Sequence, residues 1–85
     1  MKALDIAGSV EMFVRRQFNV SDSDAGFDRD VDLFESGYVD SVGVAELLEY
    51  LNQEFEVEIP ESALFSDDFS SIDGIAAIIA RLTAT

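Results

Sequence analysis

Apolar residues near the start of the chain recur at helical spacing: Ile6, Val10, Phe13, Val14 and Phe18 follow one another at intervals of four, three, one and four. Positions three and four apart share a helix face. The pattern therefore predicts an amphipathic helix from about residue 3 to residue 19. The rhythm then stops. "VSDSDAGFDRDVDLFESGYVD" holds Gly26, Gly37 and scattered aspartates with no sustained period. It reads as a long loop tacked down by Phe27, Leu33 and Phe34. A connection of this length is uncommon in a small domain and is often functional.

From Val42 the helical period returns. Val44, Leu47, Leu48, Leu51 and Phe55 form a stripe that should face the core, whereas Val42, Glu46, Glu49 and Gln53 should face solvent. Val57 and Ile59 lead into Pro60, which ends any helix before it. "PESALF" allows one short helical turn with Pro60 at or near its first position. Ser70-Ser71-Ile72-Asp73 is a capping-box pattern opening a helix that carries Ile72, Ile75, Ala76, Ile79 and Leu82. There is no internal repeat, low-complexity tract or strand pattern. The expected fold is all-α: a small four-helix bundle of three main helices and one short one, with a long loop between the first two.

Eighty-five residues leave room for one domain, expected to span residues 1–85, and 48% apolar content is enough for its core. Without cysteine there is no disulfide or thiolate metal site. The N-terminal residues contain no long apolar run, so a signal peptide or membrane span is not expected, and a soluble, cytoplasmic monomer is. Charge changes the picture more. The net charge is −13, and residues 21–61 set thirteen acids against Arg29 alone. Such a surface repels nucleic acid and anionic membrane, and it steers basic partners into rapid encounters.

The acids do not form a calcium loop. An EF-hand needs glycine at its sixth position and glutamate at its twelfth; a loop starting at Asp22 offers Phe27 and Leu33 there, and one starting at Asp28 offers Leu33 at the sixth. No metal site is expected. Nor is a self-contained enzyme. The chain has no histidine or cysteine, and Lys2 is its one lysine, so a serine nucleophile lacks a base. No catalytic residue is assigned.

The remaining question is the Asp40-Ser41 pair that opens the second helix. Either residue can cap it, since both side chains accept orphan backbone N–H bonds. With Ser41 as cap, Val44 stands at the third helical position; with Asp40, Gly43 does. An exposed serine at a helix N-terminus also suits a phosphodiester, because free N–H groups and the helix dipole stabilise negative charge. A serine modified by another enzyme needs no base of its own.

These residues resemble a known family. "DLFESGYVDSVGVAELLEYLNQEFEVEIPE" is similar to the acyl and peptidyl carrier proteins, and the likeness runs from Leu33 to about Leu82. It rests on Leu33-Phe34, Gly37, Asp40-Ser41-Val42, Glu46-Leu47, Phe55, Ile59-Pro60, Phe69 and the helix from Ile72 to Ile79. The resemblance implies that a phosphopantetheinyl transferase, using coenzyme A and magnesium, attaches 4′-phosphopantetheine to Ser41. Its thiol would carry an acyl or aminoacyl group as a thioester. Asp40 would help dock the transferase and its magnesium. Val42, Glu46, Glu49 and Glu54 would meet loading enzymes, synthases or transferases with basic docking surfaces. Gly43 stands where fatty-acid-synthase carriers usually have an acid, and "FSSIDGIAAII" is more like free-standing carriers of polyketide, nonribosomal-peptide or aminoacyl pathways. The alternatives are a fatty-acid-synthase carrier and a carrier-like interaction module that does not use the arm.

Overall fold

The computed structural model describes residues 6–21 and 23–83. Its helices are α1 (Ile6–Gln17), α2 (Ser41–Phe55), α3 (Glu61–Leu64) and α4 (Ile72–Thr83), with a 3₁₀ turn at Asp67–Ser70 leading into α4. The all-α expectation holds, and no strand occurs among the described residues. The expected start of the first helix, residues 3–5, lies outside them. Its end comes at Gln17 rather than residue 19. Asn19 turns left-handed there (φ 55°), and the Val20 N–H donates to the Arg15 carbonyl at 3.0 Å. Asparagine is one of the few residues that tolerate this turn.

The helix stripes meet as the spacing requires. Val10 and Val14 of α1, Leu47 and Leu51 of α2, and Ile72, Ile75, Ile78 and Ile79 of α4 are all buried. Val44, Leu48 and Phe55 pack against this core from half-buried positions. Pro60 is the extended residue preceding α3. The aromatic residues divide: Phe69 is buried and stacks on Phe34 at 6.2 Å between ring centres, whereas Phe65 stands 81% exposed.

The long loop belongs to the core as much as the helices do. Phe27, Leu33 and Val39 are buried. Burying one such side chain stabilises a fold by about 1.5–3 kcal/mol, enough for three of them to hold an irregular segment. Backbone bonds add register: the Leu33 N–H donates to the Ser70 carbonyl at 2.7 Å, Asp73 N–H to Arg29 at 2.9 Å, and Val39 N–H to Leu33 at 3.0 Å. Charge fixes the loop to α1. Glu11 accepts from Arg15 at 3.0 Å and Arg29 at 2.8 Å, and Arg15 lies 4.6 Å over the Phe27 ring. The hydrogen bond from Arg29 is the main reason the Glu11 carboxyl titrates below its ordinary range, with burial opposing it.

At the head of α4 the sequence reading needs a correction. Ser71, not Ser70, caps the helix: its Oγ accepts from the Gly74 N–H at 3.0 Å, while the Ser70 hydroxyl donates to the Asp67 carbonyl at 2.6 Å. Ser70 belongs to the 3₁₀ turn, and its own carbonyl is taken by Leu33. The turn lies directly on α4 at Gly74, where a Cβ would overlap the Asp68 carbonyl.

Candidate functional site

At the start of α2 the two possible caps separate. Asp40 has extended backbone (φ −101°, ψ −174°), and its Oδ1 accepts from the Gly43 N–H at 2.8 Å. Its carbonyl accepts from Val44 at 3.0 Å, closing the first turn. Asp40 is the cap, and Ser41 is the first helical residue. Ser41 is exposed, and its hydroxyl makes no hydrogen bond among the described residues. The first N–H groups of a helix have no partner within it. Since Asp40 satisfies Gly43, those of Ser41 and Val42 remain available beside the hydroxyl. The second Asp40 oxygen is likewise uncommitted among the described residues.

Packing explains why glycine occupies position 43. Gly43 is buried, and an added Cβ would lie 2.7 Å from Cε1 and 3.1 Å from Cζ of Phe18, and 3.1 Å from Cγ1 of Val39. The Phe18 ring meets Phe13 edge-on at 6.2 Å, and Phe13 stacks on Tyr50 at 4.0 Å. The Tyr50 hydroxyl donates to the Ser9 carbonyl at 3.2 Å, and burial raises its pKa. This aromatic run ties the end of α1 to the first turn of α2 and so fixes where Ser41 stands. Sequence reasoning did not find the Phe18–Gly43 contact. The signal available was a glycine early in a helix, which invites the question of what approaches it.

The acids expected to meet partners fall into two groups. Val42, 69% exposed, shares a solvent-facing strip with Glu46 and Glu49. At 100° per residue Glu54 lies about 120° round the helix from Val42, on the side where its charge helps raise the Tyr50 pKa. Glu46 is held in place by α1, because Gln17 Nε2 donates to its Oε1 at 3.1 Å. Among the described residues, no three acidic side chains are placed to hold a metal ion. No helix there is long and apolar enough to cross a membrane.

The family profile described as "Phosphopantetheine attachment site" matches residues 9–79, most of the chain and all of α2. The chain belongs to the phosphopantetheine-binding carrier family. The cofactor of these carriers, and of this one, is 4′-phosphopantetheine. The D-alanyl carrier protein of Streptococcus sanguinis (strain SK36) is 30% identical over 79 residues, 93% of this chain and 96% of that one. That of Streptococcus mutans serotype c is 32% identical over the same shares. The "Probable acyl carrier protein PigG" of Serratia sp. is 32% identical over 59 residues, 69% of this chain and 68% of its own. No solved structure matches the carrier significantly.

Proposed function

We propose that Ser41 is the attachment point of 4′-phosphopantetheine, and that the protein presents an acyl or aminoacyl group to partner enzymes without catalysing a reaction itself. The observation that supports this most is the division of labour at α2. Asp40 does the capping, which leaves the Ser41 hydroxyl exposed and unbonded among the described residues. A serine kept only for helix stability would hold that hydrogen bond itself.

When bound, the group supplies a flexible tether ending in a thiol that holds the cargo as a thioester. The chain's own residues provide the setting. The N–H groups of Ser41 and Val42, at the positive end of α2, favour the phosphodiester charge by about 0.3–1 kcal/mol. Asp40 keeps one oxygen on Gly43 and offers the other to the transferase and its magnesium. Val42 presents an apolar contact, with Glu46 and Glu49 below it drawing in basic surfaces.

Ser41 lines neither the cleft between α1 and α2 nor the one between α3 and α4. Alignment with D-alanyl carriers along nearly the whole chain favours an aminoacyl group, in an aminoacyl, nonribosomal-peptide or polyketide setting.

The test is direct. Incubated with coenzyme A, magnesium and a promiscuous phosphopantetheinyl transferase, the wild-type chain should gain the mass of one phosphopantetheine and Ser41→Ala none. An unmodified wild type, or a modified Ser41→Ala, overturns the assignment. The loading rate should fall with added salt, because at physiological ionic strength charges are screened beyond about 8 Å.

A further inference from the structure

Tyr38 stands two residues ahead of Asp40, just after the left-handed turn at Gly37 (φ 84°). Its hydroxyl donates to Asp24 Oδ2 at 2.9 Å, a tie across fourteen positions of the long loop. The other Asp24 oxygen accepts from the Gly26 N–H at 2.9 Å, so the acceptor is itself held. The Tyr38 ring meets Phe27 edge-on with 5.0 Å between ring centres, and Phe27 is buried with Arg15 of α1 over its ring. Desolvation, the bond to Asp24 and the charges of Asp24 and Asp28 raise the phenol's pKa, so it stays the proton donor.

The ring contact needs no hydroxyl, and phenylalanine would make it equally well. Tyr38 is half-buried. What its hydroxyl adds is direction, because a hydrogen bond to a carboxylate is strong and depends on angle. Val39, next in the chain, is buried, packs at Gly43 and donates to the Leu33 carbonyl. One anchor fixes where a segment lies but leaves it free to turn. A second anchor, on a different part of the loop, fixes its orientation as well. Asp40 and Ser41 follow at once. We propose that Tyr38 is a positioning residue for the loading of Ser41, its phenol on Asp24 setting the orientation in which Asp40 and Ser41 meet the transferase. The proposal rests on the carrier reading and adds to it a residue of the long loop.

Tyr38→Phe keeps the ring and removes the tie. With coenzyme A, magnesium and a phosphopantetheinyl transferase, its kcat for loading should fall about threefold to tenfold, because misplacing a reacting group by about 1 Å can cost roughly a hundredfold. KM for the carrier should hold, since Val42, Glu46 and Glu49 are untouched. Asp24→Asn, whose amide can bond both Gly26 and the phenol, should retain most of the rate. Asp24→Ala should lose at least as much as Tyr38→Phe, and the double variant should be no slower than Asp24→Ala. Ile79→Val, in the core of α4, should lower the unfolding midpoint without lowering kcat, which separates positioning from loss of stability. An unchanged kcat in Tyr38→Phe, or an equal fall in Ile79→Val, overturns the proposal. A second readout needs no transferase. In the unmodified protein, the amide NMR shifts of Asp40, Ser41 and Val42 should move in Tyr38→Phe and stay near wild type in Asp24→Asn. A Ser41 amide that does not move overturns the proposal by itself. Failure of the wild type to gain mass is a separate result: it would sink the carrier reading, while the Ser41 shifts would still decide whether the clasp sets this geometry.

Discussion

Gly43→Ala should destabilise this carrier, although replacing glycine within a helix ordinarily does the opposite. The new Cβ would sit 2.7 Å from Phe18 Cε1, whereas ordinary contacts begin at 3.4 Å, so the ring must retreat by about 0.7 Å. Its retreat is hindered by Phe13 on the same cluster and by Val39, itself 3.1 Å from the new atom. Overpacking of this kind costs about 1–3 kcal/mol. The alanine's helix propensity returns at most about 1 kcal/mol. A net loss of about 1 kcal/mol would lower Tm by roughly 4–8 °C in a domain this small. The contact can be isolated by repeating the substitution in a Phe18→Ala background. With the ring gone, Gly43→Ala should become neutral or stabilising, reversing the sign. Thermal and urea unfolding of the four proteins, followed by circular dichroism, measures the cycle. If Gly43→Ala stabilises both backgrounds equally, Phe18 does not dictate glycine at that position and the packing argument is wrong.

Gly74→Ala should be costlier, because its Cβ meets the backbone carbonyl of Asp68 and not the end of a side chain; an unchanged urea midpoint would refute that close approach. Asp40→Ala should lose about 0.5–2 kcal/mol with the cap. Asp40→Asn should keep most of that stability yet load more slowly with phosphopantetheine, so unfolding and loading rates measured together separate the two roles of the residue. Acid should weaken the bond between loop and α1. The folded pKa of Glu11 lies below its ordinary 4.5, so its contribution is present above that value and is lost as pH falls through the folded pKa. The stability difference between wild type and Glu11→Gln should therefore be steady near neutrality and shrink below about pH 4.5; a difference that does not change with pH would contradict the pairing.

The helices were legible in the sequence because their signals are local. Spacing alone put Leu47 and Leu51 inward and Val42, Glu46 and Glu49 outward, and Phe27 and Leu33 did prove to be loop anchors. What could not be read locally depended on distant partners. Asp40 and Ser41 are near-equal caps by residue type, and the choice between them shows only in the bond to Gly43. At α4 the loop decides: Leu33 takes the Ser70 carbonyl and the cap passes to Ser71. The groove beside Gln17 likewise arises from segments far apart in sequence. The position of Glu54 is different. Helical arithmetic alone sets it apart from Val42, so that separation was available from the start.

The stitching of the long loop governs how far a tethered group can travel. Arg29 and Leu33 are sewn to the head of α4, and Val39 is tied back to Leu33 and buried, one residue short of the cap that starts α2. The support beneath Ser41 is thus a fixed post and not a swinging boom. With the arm on Ser41, as proposed above, its reach is set by the length of the pantetheine and by tumbling of the whole molecule, and not by swinging of the loop.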